Sequence, residues 1–159
     1  MLGQSEERIF LNISEGKIVQ RKEGKNLRFD YVEGTLERIY QKDREFRGEK
    51  VPYMYLDLRD PETGTLYSLG LNAGGGVWRG IILSLGSCKE FISPIKICPY
   101  TKGAYTRAVV YSGGEKLEWV EGLPPVLEMQ MGTKKIKDVS QREAFMAQIV
   151  ERINAALGA

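Results

Sequence analysis

The sequence predicts a mostly-β domain that ends in an amphipathic helix. Three observations predict it. Apolar residues alternate at period two in several short segments. Glycine, proline and acidic or amide residues separate those segments as hairpin turns do. Sustained helical spacing appears only near the end, over residues 140–157. The 159 residues have the length of one ordinary domain, and 42% hydrophobic with 28% charged residues is a globular composition. No stretch approaches the roughly 20 apolar residues that cross a membrane. The start, MLGQSEERIF, lacks the apolar core of a secretory signal. Cys88 and Cys98 have no metal-binding or redox spacing and read as small buried hydrophobes, so a reducing cytoplasm is the expected compartment.

In chain order, Arg8 to Gln20 gives a hairpin around Ser14-Glu15-Gly16, and Lys22 to Asn26 a second turn. Leu27 to Tyr40 reads as one long strand. Gly34 in its middle marks a bulge or sharp coil, the device that lets one strand serve both halves of a small barrel. Gln41 to Lys50 is expected as a charged loop. VPYMYLDL and TLYSLGL form a hairpin across Asp60-Pro61-Glu62-Thr63-Gly64, and Val77 to Leu85 reads as a short helix after the break at Asn72 to Gly76. Pro94 to Tyr100 and Ala104 to Tyr111 make the next strand pair, with KLEWV pairing back. Pro124-Pro125 ends the sheet and opens a linker over 124–139. Ser140 and Glu143 match a capping box at the head of the final helix, whose apolar face holds Phe145, Ile149, Val150, Ile153 and Leu157.

The chain has no histidine, which removes the commonest general base and zinc ligand. No enzyme activity and no cofactor are expected. With 23 basic against 21 acidic residues the net charge is only +2, so any polyanion site must come from local placement. Such placement exists. Tyr53 and Tyr55 stand on the strand face opposite Met54 and Leu56, where a solvated strand carries polar residues. Tyr105 and Arg107 alternate in the same way, with Tyr100 and Lys102 beside them. Phe46 and Arg47 lie in the charged segment, and Lys22, Lys25 and Arg28 in a window over 17–28 with five cations and one acid. Aromatic faces for bases and cations for phosphates are what single-stranded nucleic acid requires. Trp78 is a further candidate contact. The plainer alternatives are strand tyrosines packed beneath the N-terminal hairpin or the last helix, a solvated basic hairpin, and a tryptophan in the core. Gly74-Gly75-Gly76 with Gly80 lacks the ribose-binding acid of a dinucleotide loop, and Asp57, Asp60 and Glu62 read as turn chemistry before a metal site.

At YVEGTLERI (Tyr31 to Ile39) and its continuation through YLDLRDPETGTLYSLGL, the sequence resembles OB-fold single-stranded DNA-binding proteins of phages and mobile elements, over about residues 27–111. The resemblance implies an OB-like five-stranded barrel in the β-β-β-α-β-β succession. That divides the chain into a barrel domain with its N-terminal hairpin (1–123), the linker (124–139) and the C-terminal helix (140–157). It places ligand across the second and third barrel strands, between two loops. The implied function is sequence-tolerant coating of single-stranded DNA in replication or recombination, in a bacterial cytoplasm, with replication or recombination proteins as partners. The acidic C-terminal tail through which many such proteins recruit partners is missing here. The other reading is a non-enzymatic structural or protein-interaction β-barrel, a virion component or assembly adaptor, with the last helix making a homo-oligomer. A metal-dependent nuclease using Asp57 and Asp60 stands third.

Overall fold

The computed structural model describes residues 8–159; residues 1–7, where the polar N-terminus begins, lie outside it. Two consecutive hairpins open the fold, built from β1 (Arg8–Ser14), β2 (Lys17–Lys22) and β3 (Lys25–Phe29). Two-residue hairpin turns of type I′ need positive φ at both positions. Glu15-Gly16 supplies 50° and 74°, and Glu23-Gly24 supplies 53° and 75°. An antiparallel meander of β4 (Val32–Phe46), β5 (Glu49–Arg59) and β6 (Leu66–Asn72) follows. Then come α1 (Gly76–Gly86), β7 (Ile95–Lys102), β8 (Tyr105–Ser112) and the two-residue β9 (Glu115–Lys116).

All nine strands join one sheet in the order β3-β2-β1-β6-β5-β4-β7-β8-β9. The expected closed barrel of five strands is therefore corrected in strand count and in closure. The physical reason is β1, which pairs in parallel with β6 and occupies the edge that a closing strand would use. The sheet nevertheless curls until the β1–β2 turn abuts β7. A Cβ on Gly16 would lie 2.8 Å from the Thr101 side chain and 3.0 Å from the Tyr100 carbonyl carbon.

The stretch expected as one strand from Leu27 to Tyr40 is broken at Asp30-Tyr31. The Lys17 ammonium, bonded to Asp30, holds that carboxyl below the ordinary carboxylate range. Gly34 is where β4 changes partner: Val32, Glu33 and Gly34 face β7, and Thr35 onward faces β5. A Cβ there would sit 2.9 Å from the Arg59 carbonyl oxygen, backbone that cannot rotate aside. The bulge itself falls between Leu36 and Arg38. Gly34→Ala is expected to lower stability by about 1–3 kcal/mol, the usual cost of overpacking, readable in urea unfolding.

The expected charged loop at 41–50 is in fact strand. β4 and β5 continue to a two-residue turn at Arg47-Gly48, with φ of 53° and 80°. This ribbon has no apolar alternation; ladder hydrogen bonds and cross-strand pairs such as Glu45 with Lys50 hold it instead. The expected linker likewise contains a hairpin, β10 (Leu127–Met131) and β11 (Lys134–Asp138), separate from the main sheet. KLEWV pairs back only at its start, through Lys116 in β9 and the Leu117 N–H, which donates to the Val110 carbonyl at 2.8 Å. Beyond it the Val120 N–H donates to the Leu83 carbonyl at 2.9 Å and lays the segment on α1.

One face of the sheet (Met54, Leu56, Leu58, Leu69, Leu71, Ile95, Ile97) packs on Trp78, Ile81, Ile82 and Leu85 of α1. The last helix, α2 (Ser140–Leu157), adds Ile149 and Ile153 to this core. The capping box does not form. Val139 occupies the N-cap, and Asp138 accepts a 2.9 Å hydrogen bond from the Ser140 N–H. Bonds from the Ser140 hydroxyl and N–H keep the Asp138 carboxyl below its ordinary range. The Asn154 amide closes the free edge of β4: Oδ1 accepts from the Ile39 N–H at 2.9 Å, and Nδ2 donates to the Ile39 carbonyl at 2.8 Å. Among the described residues no helix is long and apolar enough to cross a membrane.

Candidate nucleic-acid interface

Alternation along β5 sends Tyr53, Tyr55 and Asp57 away from α1, and register decides what surrounds them. Tyr40 of β4 stands opposite Tyr55, and Arg38 opposite Asp57; on β6 their neighbours are Gly70 and Ser68. The Tyr55 ring lies over Gly70, 2.7 Å from where a Cβ would be. It stacks on Tyr40 with centroids 5.2 Å apart and meets the edge of Phe10 at 6.5 Å. Tyr55 is thus only 6% exposed, and burial pushes its hydroxyl pKa up. The expected stacking role of Tyr55 is corrected: it supports the face from beneath.

Asp57 is 1% exposed. Its Oδ1 accepts from the Ser68 hydroxyl at 2.6 Å and its Oδ2 from Arg38 Nε at 2.7 Å, with an Arg8 guanidinium nitrogen 3.8 Å away. Both oxygens of Asp57 are engaged. Held this way, the Arg38 guanidinium lies 4.3 Å over the Tyr40 ring. Tyr53 ends the aromatic row, its centroid 6.5 Å from that of Tyr55, under the Arg44 guanidinium at 4.9 Å.

From Tyr53 a groove runs across the start of α1. Its first hollow, about 350 Å³, is lined by Arg44, Tyr53, Gly70, Asn72 and Gly75-Gly76. It meets a second of about 140 Å³ at Gly76, which joins a third of about 580 Å³ at Tyr100, Arg107 and Trp119. Lys102 and Tyr105 line the far end. Tyr105 is 69% exposed and Trp119 50%. Gly76 sits between two cations: a Cβ there would stand in ordinary van der Waals contact, 3.7 Å, with guanidinium nitrogens of both Arg79 and Arg107. Among the described residues no carboxylate forms an ion pair with Arg44, Arg79, Lys102 or Arg107. The groove therefore pairs accessible rings with cations that bond no carboxylate, while Glu118 in its second hollow stands 4.0 Å from Lys116.

The expected residues divide accordingly. Tyr53, Tyr100, Lys102, Tyr105 and Arg107 line the groove, and Phe46 with Arg47 sits at the β4–β5 tip beyond Arg44. Lys22 and Lys25 flank the β2–β3 turn, at the opposite end of β2 from the turn that touches β7, and Arg28 faces Glu15 at 3.5 Å. Lys17 bonds Asp30, so two of the five cations in that window are already paired. Trp78 is 3% exposed and belongs to the core, reaching the groove only in the wall of the first hollow. Phe10, Tyr40, Arg79 and Trp119 were not among the sequence candidates. Their placement depends on cross-strand register and chain return, which no local spacing encodes, although Arg79 does interrupt the apolar run of α1. Compared with protein families, curated proteins and solved structures, the chain matches none.

Proposed function

We propose that this protein binds single-stranded DNA with little sequence preference, along the groove from the β4–β5 tip past the start of α1 to the β7–β8 turn. The observation that carries the reading is the co-location of accessible rings (Tyr53, Tyr100, Tyr105, Trp119) with unpaired Arg44, Lys102 and Arg107 in the groove lining and Arg79 beside it at Gly76. Rings stack on any base, and the cations neutralise the phosphates between them. The OB-like reading adds support: β6-β5-β4-β7-β8, with α1 between β6 and β7, is the strand order of an unrolled OB barrel, and the two turns that frame the groove take the place of its ligand-framing loops. Coating of exposed strands in replication or recombination of a phage or mobile element is the role this proposal assigns.

Titrating a labelled oligothymidine with the protein at low and moderate salt, with duplex as competitor, tests it by fluorescence anisotropy. With four cations engaged, affinity is expected to fall with a log–log salt slope of about −3, from roughly 0.7 per phosphate on a single strand. Equal competition by the duplex, or no binding at low salt, would reject the reading. The non-enzymatic interaction module is the second reading, favoured by an exposed apolar hairpin outside the groove.

A further inference from the structure

β1 is added beyond the run β6-β5-β4-β7-β8 and pairs in parallel with β6 from Arg8 to Leu11. Directly paired residues share a face of a sheet. Phe10 stands opposite Ser68, Ser68 opposite Asp57 and Asp57 opposite Arg38, so the Phe10 ring lies on the outer face that carries Tyr40, Tyr53 and Tyr55. Gly70 leaves room for Tyr55 to lean across β6, and the Tyr55 and Phe10 centroids are 6.5 Å apart. Phe10 is nevertheless 58% exposed, whereas its neighbour Leu11 points the other way and is buried in the core. Core packing does not account for a phenylalanine there.

Charge on this face is sorted by alternation. Lys42 and Arg44 share the face of Tyr53, and Asp43 and Glu45 point to the opposite one. Among the described residues Lys42 forms no ion pair. Nearer Phe10, the single Asp57 carboxylate lies between the Arg8 and Arg38 guanidiniums, a cluster that keeps one positive charge. Two further acids border the face: Glu37, which Arg59 holds, and Glu49 at the ribbon tip. Tyr53, Arg44 and Gly70 also line the first hollow of the groove, so the two surfaces meet there.

We infer that β1 widens the interface: a single strand lying in the groove continues past Tyr53 onto the outer face of the sheet, where a base stacks on Phe10. Lys42 beside Tyr53 and the Arg8–Arg38 cluster beside Phe10 then meet its phosphates. This extension rests on the single-strand reading and adds to it a stacking residue that the groove does not contain.

Anisotropy titrations with an oligothymidine of about 16 nucleotides, the upper end of the roughly 4–16 that one such fold occupies, test it. Phe10→Ala is expected to weaken binding about 5- to 150-fold, the factor that one stacked base contributes. Phe10→Leu, which keeps an apolar contact with Tyr55 and should melt like the native chain, is expected to lose affinity as alanine does; Phe10→Trp should bind like the native chain. Lys42→Ala should reduce the magnitude of the salt slope by about 0.7. Photo-crosslinking of the same oligothymidine carrying 5-iodouracil should mark the peptide that contains Phe10. If Tyr53→Ala with Tyr105→Ala weakens binding while Phe10→Ala and Phe10→Leu bind like the native chain, the extension is overturned and the groove stands. Phe10→Trp binding as weakly as Phe10→Ala would also overturn it, since the ring would then matter for its fit and not for stacking. A native chain that binds no oligothymidine would overturn both.

Discussion

Replacing Tyr53 and Tyr105 together by alanine is expected to weaken oligothymidine binding about 30- to 10⁴-fold, because each stacked base contributes about 1–3 kcal/mol. Both rings stand at the groove surface, and Tyr105 is the more exposed. Their removal opens no core cavity, so the melting temperature should hold. Tyr55→Ala is the contrasting control. That ring fills the space over Gly70 between Tyr40 and Phe10, and its deletion should cost about 3–5 kcal/mol of stability, as loss of a buried aromatic does. Arg107→Ala addresses the phosphates and should reduce the magnitude of the salt slope by about 0.7. Anisotropy titrations beside thermal melts read all three variants. A Tyr53/Tyr105 variant that binds as tightly as the native chain would remove the groove from consideration.

The fold was legible wherever one face of a segment meets the core. Met54, Leu56 and Leu58 recur at period two, and β5 follows; Ile149 and Ile153 recur at helical spacing, and α2 follows. Left-handed turns were legible from Glu-Gly pairs. Segments without a buried face escaped. The ribbon at 41–50 and the hairpin at 127–138 are exposed on both sides, and ladder hydrogen bonds that any residue can supply hold them. Closure was misread for a related reason: the parallel pairing of β1 with β6 is a contact between chain segments more than fifty positions apart, which local pattern cannot carry. The site divides along the same line. Tyr53, Tyr105 and Arg107 follow from alternation within one strand. Tyr55 has the same alternation, but burial depends on Tyr40 and Phe10 arriving from β4 and β1, and on Gly70 leaving room beneath. A small residue on the neighbouring strand is what turns an outward tyrosine into a packed one.

Ile153→Ala is expected to cost about 2–5 kcal/mol, a large share of the roughly 5–15 kcal/mol that holds an ordinary domain folded. Ile153 is 1% exposed in the core that α2 shares with α1 and β4, and its truncation leaves a void that the two flanking elements cannot easily fill. For a chain of this size the midpoint of thermal unfolding should drop by roughly 5–20 °C. The neighbouring residue separates apolar docking from edge protection. Asn154→Ala removes little apolar area but strips the partners from the Ile39 N–H and carbonyl, for an expected cost of about 1–3 kcal/mol. Hydrogen exchange at the Ile39 amide should accelerate in Asn154→Ala beyond what the change in global stability explains, since that amide then has only water to meet. Two substitutions on one helix turn serve one docking event, so the double variant should lose less than the sum of the single losses. A melting temperature unmoved by Ile153→Ala would mean that α2 unfolds apart from the sheet; the edge of β4 beyond Gly34 would then stand open, and the Asn154 clamp would not contribute to the cooperative unit.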